Sequence, residues 1–411
     1  MSQEENKVDT LLEKWEPVLE SDKADAISDP YRRKVTAQLL ENTQEYLTEA
    51  SNLTAGVQNW DPVLISMVRR MAPKLIAYDI LGVQPMTAPS GLIFALKARR
   101  AQTPPNTGPQ AGAEILGLSE ADTSYSGTGT HAAITDANFL TGFATGTGKT
   151  TAAGEVDAWN SVGVTIDKVN ISATTRQLRA DYSIELAQDM KRVHGLDADA
   201  ELVQILSNEL ISEINRQVVR TVYNAAKVGA QFATSPGTFD LNADADGRWS
   251  VERFKGLLFA IERDANAVAI ESRRGKANFM IVSSDVASAL AMAGILDYAP
   301  ALAGQVSLEV DATGATYAGN AGRFKVYIDP YLGTDAYLVG FKGSTQYDAG
   351  LYYAPYIPLE LHRATDPSNF HAALGFKTRF AMAENPFVGN STAIGSNANY
   401  YYRKALVRNI M

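Results

Sequence analysis

The segment from Asp199 to about Lys227, DAELVQILSNELISEINRQVVRTVYNAAK, constrains this chain more than any other. Leu202, Leu206, Leu210, Ile214, Val218 and Val222 step by four, and no Gly or Pro interrupts them. That spacing puts all six side chains on one side of an α-helix, so the segment predicts a single amphipathic helix. At 1.5 Å per residue it runs for about 45 Å, the breadth of a whole domain. A helix of that length organises the domain it crosses.

The 411 residues suffice for two to three domains. A second helical stretch, VERFKGLLFAIERDANAVAIESRRG, presents Phe254, Leu257, Leu258, Ile261, Ala265 and Val268 on one side and stops at Gly275. A strand (NFMIVS) follows, then a helix capped by Ser283, Ser284 or Asp285, then a strand-rich C-terminal third. Regular strand–helix alternation is missing, so the expected class is α+β.

The N-terminus differs in charge from everything after it. Residues 1–49 carry a net −6, which leaves only −3 on the rest of the chain. Val8, Leu11, Leu12, Trp15 and Leu19, then Val35, Leu39 and Tyr46, mark two amphipathic helices. Polar SDKADAISDP separates them, and Pro30 opens the second at its first turn. These helices are too small to hold a core, so they need a partner surface, either their own domain or another molecule. NWDPVLISMVRR (59–70) reads as a third helix entered through Asp61-Pro62. Residues 101–155, dense in Gly, Thr, Ser and Ala, read as a long excursion with short β pieces.

Composition removes several function classes. There is no cysteine, which excludes disulfides, thiol catalysis and Cys-ligated metals. His131, His194, His362 and His371 have none of the short spacings of a local zinc site. With 37 Lys+Arg against 46 Asp+Glu, a basic nucleic-acid binder is disfavoured. The acidic start MSQEENKVD is unlike a secretory signal, and no stretch approaches the roughly 20 apolar residues of a membrane span.

Three motifs hint at chemistry. Gly142 to Thr150 (GFATGTGKT) is one residue out of register with a phosphate loop, because Phe143 stands where the first Gly belongs. Asn242, Asp244, Asp246 and Gly247 open like a calcium loop, but Arg253 stands where the bidentate Glu is needed. Arg273-Arg274-Gly275-Lys276 is a basic run at a helix end, where the dipole favours cations. Neither a nucleophile elbow nor a dinucleotide fingerprint is present, so no catalytic residues, metal or cofactor are expected; a nucleotide hydrolase using Lys149 is the enzyme alternative.

Longer stretches carry a resemblance. MVRRMAPKLIAYDILGVQPM (67–86), DYSIELAQDMKRVHGLDADAEL (181–202), GRWSVERFKGLLFAIERDANA (247–267), ESRRGKANFMIVSSDVASALAMAGILDY (271–298) and YDAGLYYAPYIPLELHRA (347–364) closely resemble the major capsid (head) proteins of T-even-like tailed bacteriophages. The resemblance implies the Hong Kong 97-type capsid fold, with an N-terminal arm, an extended E-loop, a peripheral domain on a long spine helix, and an axial domain. Mapped here, 1–49 is an acidic scaffold-docking propeptide and 50–90 the N-terminal arm. Residues 91–165 are the E-loop with a reduced insertion, 166–249 and 346–411 the peripheral domain (spine helix about 199–227), and 250–345 the axial domain.

The implied function is a self-assembling hexamer of the icosahedral head shell around phage DNA, held without sequence-specific binding; the pentameric vertex protein of the same head is the alternative. Implied partners are the vertex protein, the portal, an internal scaffold core and a prohead protease, with decoration proteins and a chaperonin as further classes. The implied location is the virion, and the host cytoplasm during assembly. Such proteases cut after Glu in an Ile/Leu-x-Glu pattern. Leu47-Thr48-Glu49, followed by Ala50, fits where the acidic segment ends, and Leu11-Leu12-Glu13 and Leu39-Leu40-Glu41 fit as secondary cuts.

Overall fold

Among the elements the sequence forecasts, the long stripe forms one helix over Ala198–Ala225, begun by Asp197, whose side chain accepts from the Asp199 backbone N–H. The computed structural model describes residues 10–16, 19, 29–50, 74–100, 123–129, 131–132, 134, 139–157, 159–245, 247, 249–294, 296–298, 316–345, 347–365, 371–389 and 393–410. The helix forecast at 59–70 lies outside them.

In chain order the helices are α1 (Pro30–Ala50), α2 (Ala77–Ile80), α3 (Thr151–Val156), α4 (Ile184–Asp189), α5 (Ala198–Ala225), α6 (Ser250–Ser272) and α7 (Ser284–Met292). The strands are β1 (Gly82–Val83), β2 (Ser90–Arg100), β3 (Val162–Ser172), β4 (Thr174–Tyr182), β5 (Ala226–Val228), β6 (Thr238–Asp240), β7 (Phe279–Val282) and β8 (Leu296–Tyr298). They continue with β9 (Thr316–Ala321), β10 (Phe324–Ile328), β11 (Ala336–Gly340), β12 (Leu351–Thr365), β13 (Ala372–Glu384) and β14 (Asn399–Arg408). Both helix and strand are present without a regular βα repeat, which is the expected α+β class.

Two sheets build the first of two compact units, Met1–Ile93 with Val169–Ala269 and Arg274–Met411. The smaller runs β1-β12-β13-β4; the larger runs β5-β14-β11-β7-β10-β9-β8, with β6 also on β14. Every residue of β7 and of β11 is buried, because the larger sheet is covered on both faces. Alternation then sorts the side chains. Phe279, Ile281 and Leu338 join the cluster around α5, whereas Met280, Val282, Tyr337 and Val339 join the cluster around α6 and α7. In β12 the register slips between Pro355 and Ile357 and again before Glu360, where Pro355 and Pro358 have no N–H for a ladder.

α5 ends two residues before the expected Lys227, since Ala226 turns extended (ψ 133°) and Ala226–Val228 pairs in parallel with β14. α4 continues into a π-helical turn over Met190–His194, which stops where expected, with Gly195 in the left-handed conformation (φ 68°). Ser283 is the cap of α7, accepting from the Val286 N–H.

The second unit is Phe94–Lys168 with Ile270–Arg273. The β2–β3 ribbon, of which Phe94–Arg100 and Val162–Lys168 fall in this unit, shares no strand with the other two sheets. The Gly/Thr-rich excursion contributes an isolated bridge, Thr128 to Thr147, and the six-residue α3.

Candidate assembly and processing sites

Strand alternation gives the β2–β3 ribbon two unlike faces. Lys97 and Arg99 both reach Asp167 across the ribbon, at 2.9 and 2.5 Å, so odd-numbered residues of the two strands share one side. The even-numbered side carries Leu92, Phe94 and Leu96 from β2 and Val162, Val164 and Ile166 from β3. All six are 51% to 70% exposed. Six large apolar side chains aligned on one exposed face form a contiguous patch, and such a patch on a folded chain marks a surface meant to be covered.

The acidic arm finds its partner surface within its own chain. Asp29 caps α1, accepting from the Tyr31 N–H at 3.0 Å, with Pro30 as first helical residue. The Tyr31 hydroxyl donates to the Val83 carbonyl (2.6 Å) and accepts from the Val83 N–H (2.7 Å). Arg32 pairs with Asp79 at 2.7 Å, and the Lys342 ammonium lies 5.6 Å from the Tyr31 ring centre. Buried Asn42 donates to the carbonyls of Met86 (2.8 Å) and Tyr356 (3.2 Å). Val35 and Leu39 enter the α5 cluster, while Ala37 and Leu40 pack with Trp15 and Leu19.

The three Leu-x-Glu sites therefore differ. Leu39 and Leu40 are buried, and the Glu41 carboxylate accepts from Lys14 (2.7 and 2.9 Å) and from the Trp15 indole N–H (2.9 Å). These bonds hold the Glu41 carboxyl below its usual range against the opposing effect of burial. Leu11, Leu12 and Glu13 lie in helical residues 10–16, with Leu12 packed on the Trp15 cluster. Leu47, Thr48, Glu49 and Ala50 form the C-terminal end of α1.

The remaining motifs are engaged locally. Lys149 bonds Asp157 at 3.0 Å, and α3 behind it is one short helix with no side-chain cap. Asp244 accepts from the Thr234 N–H and hydroxyl (2.7 Å each) and from the Asp240 N–H (2.9 Å), while Asn242 accepts from Arg253 (2.5 Å). Asp246 lies outside the described residues. Arg274 sits 3.9 Å from Asp348 and over the Phe387 ring. Among the described residues no group of His, Asp or Glu is placed to hold a metal ion, and no helix is long and apolar enough to cross a membrane.

Two buried groups escaped the sequence reading. Asn215, on the buried side of α5, accepts from the Ile76 N–H (3.1 Å) and donates to the Lys74 carbonyl (2.9 Å). Asp264 accepts from the Ala230 N–H with both oxygens (3.0 Å each) and from the Tyr337 hydroxyl (2.8 Å), and holds Ala230 at φ 46°. A polar residue inside an apolar stripe was the one available signal for each.

The family model for Major capsid protein Gp23 matches residues 57–407. The chain is 40% identical to the major capsid protein of Serratia phage KSP90, over 96% of this chain and 97% of the relative. It is 34% identical to that of Enterobacteria phage T4, over 97% and 98%. The capsid vertex protein of the same phage T4 is 24% identical over 54% of this chain and 52% of its own. With this match across nearly its whole length, the chain belongs to the Gp23 family of major capsid proteins, the structural shell proteins of T4-like phage heads.

Proposed function

We propose that this protein assembles as hexameric capsomers into the icosahedral head enclosing phage DNA, and that prohead-protease cleavage after Glu49 matures it. The exposed apolar face of the β2–β3 ribbon carries the reading: a lone chain leaves Phe94, Leu96, Val164 and Ile166 in water, and a neighbouring copy would cover them. Many modest contacts repeated around a closed shell supply the stability that one subunit lacks. The separate compact unit Phe94–Lys168 supports assigning 91–165 to the E-loop. The large sheet with α6 and α7 supports an axial domain over 250–345, and α5 with the small sheet supports a peripheral domain.

Trimming at Glu49 removes six net negative charges per subunit, which lessens repulsion of packaged DNA phosphate. The scaffold core, portal, vertex protein and protease are the partners this role requires. The vertex-protein reading is weaker, because similarity to that relative covers half of the chain. Intact mass of the protein from DNA-filled heads tests the processing: a chain starting at Ala50 is expected, and an unprocessed chain in full heads contradicts it. Counting subunits in isolated capsomers separates six-fold from five-fold assembly.

A further inference from the structure

We propose that the body of this protein carries a binding site for its own residues 29–42, so that cutting after Glu49 and losing the arm are separate events. The inference deepens the processing reading above, and rests on it for its biological meaning. The site has the parts of a helix-binding surface. At one end Val83 exchanges two hydrogen bonds with the Tyr31 hydroxyl, and Asp79 pairs with Arg32. At the other end the Met86 and Tyr356 carbonyls take both protons of the buried Asn42 amide. Between them Val35 and Leu39 enter the same apolar cluster as Leu75, Ile76 and Leu81. None of these contacts depends on the peptide bond between Glu49 and Ala50. Cutting it makes the arm a separate molecule without removing anything that holds it.

The same geometry sets the order of cutting. A protease needs several residues in extended form, and a buried helix offers them only by unfolding locally. Opening the chain at Glu41 means detaching Leu39, Leu40 and Asn42 from the body and freeing Glu41 from Lys14 and Trp15. The Glu49–Ala50 bond lies in the last turn of α1, where a helix frays at least cost. The arm thus protects its own inner site while docked, and the outer cut comes first.

The test takes the purified full-length chain, a glutamate-specific endoproteinase at low ratio, intact mass against time, and size exclusion of the products. The expected result is cleavage after Glu49 at least ~10-fold faster than after Glu41, with the arm fragment co-eluting with residues 50–411. Tyr31→Phe with Asn42→Ala should speed release of the fragment by on the order of tenfold per lost anchor. Trp15→Ala should raise cutting at Glu41 while leaving Glu49 unchanged. Equal rates at the two sites, resistance at Glu49, or immediate loss of the fragment from wild-type protein overturns the proposal. Because this protease is not the phage's own, an unprocessed chain in mature heads would remove the biological cut while leaving the measured docking intact.

Discussion

Glu360 shows how one side chain ties stability to pH. It is buried in β12 opposite Lys377 of β13, and burial pushes its carboxyl up to about 7, with Lys377 acting in the other direction. Its Oε2 lies 3.6 Å from His362 Nε2. A carboxyl raised in the folded state stabilises the fold fully below its unfolded value near 4.5, and the benefit is lost as pH rises through 7. Wild-type protein should therefore lose up to about 3 kcal/mol from this group between pH 4.5 and 8, measured by urea unfolding at both. Glu360→Gln should flatten that dependence. Asp264 makes a second prediction. Asp264→Ala strands the Ala230 N–H and the Tyr337 hydroxyl in a closed core, and should cost about 2 kcal/mol or more in the same assay. Asp264→Asn, which keeps an acceptor, should cost less. Neither residue was legible as a hub in the sequence, because Lys377, Ala230 and Tyr337 lie 17, 34 and 73 positions away and only folding brings them together.

At the scale of elements, local signals are legible in the chain and the pairings between elements are not. Pro30, Gly195, Ser283 and the four-residue stripe of α5 each act within one or two turns, so their effect can be seen in the chain itself. The end of α5 was misplaced because what stops it is β14, some 170 residues further on. The strand GLIFALKAR was recognisable, but not its exposed face: Leu92 to Leu96 is an unbroken apolar run, and only its pairing with β3 shows which residues point to Asp167. Contact between helix and sheet is likewise tertiary. Arg216 of α5 donates twice to Asp329 after β10 (2.7 and 2.8 Å) and lies over the Tyr331 ring. Asp329 is almost wholly buried, so Arg216→Met leaves its charge uncompensated. The variant should lose about 3 kcal/mol, seen as a lower denaturant midpoint with unchanged slope.

For the whole molecule, the described residues form two sheets around α5, α6 and α7 and a β2–β3 ribbon whose base, Ile93, Val169 and Ile171, packs with Tyr352, Ala354 and Ala381 of the smaller sheet. If the ribbon face is an interface between copies, Phe94→Asp with Leu96→Asp should abolish shell formation and leave the single chain folded. Negative-stain microscopy and circular dichroism check the two halves of that statement. A double variant that still closes shells would contradict the interface. The arm belongs to this scale too, since α1 packs on the body of the same subunit.

By itself the sequence determined the α+β class, the existence of the long helices, the charge boundary near residue 49 and the resemblance to head proteins. These are properties of short windows and of residue content, which act before the chain has folded. The tertiary structure decided which face of β2 and β3 meets water, where α1 docks, and that the Leu39-Leu40-Glu41 pattern is shielded. Those depend on contacts between residues far apart in the chain, whose loop-closure cost is met only when the core forms around them.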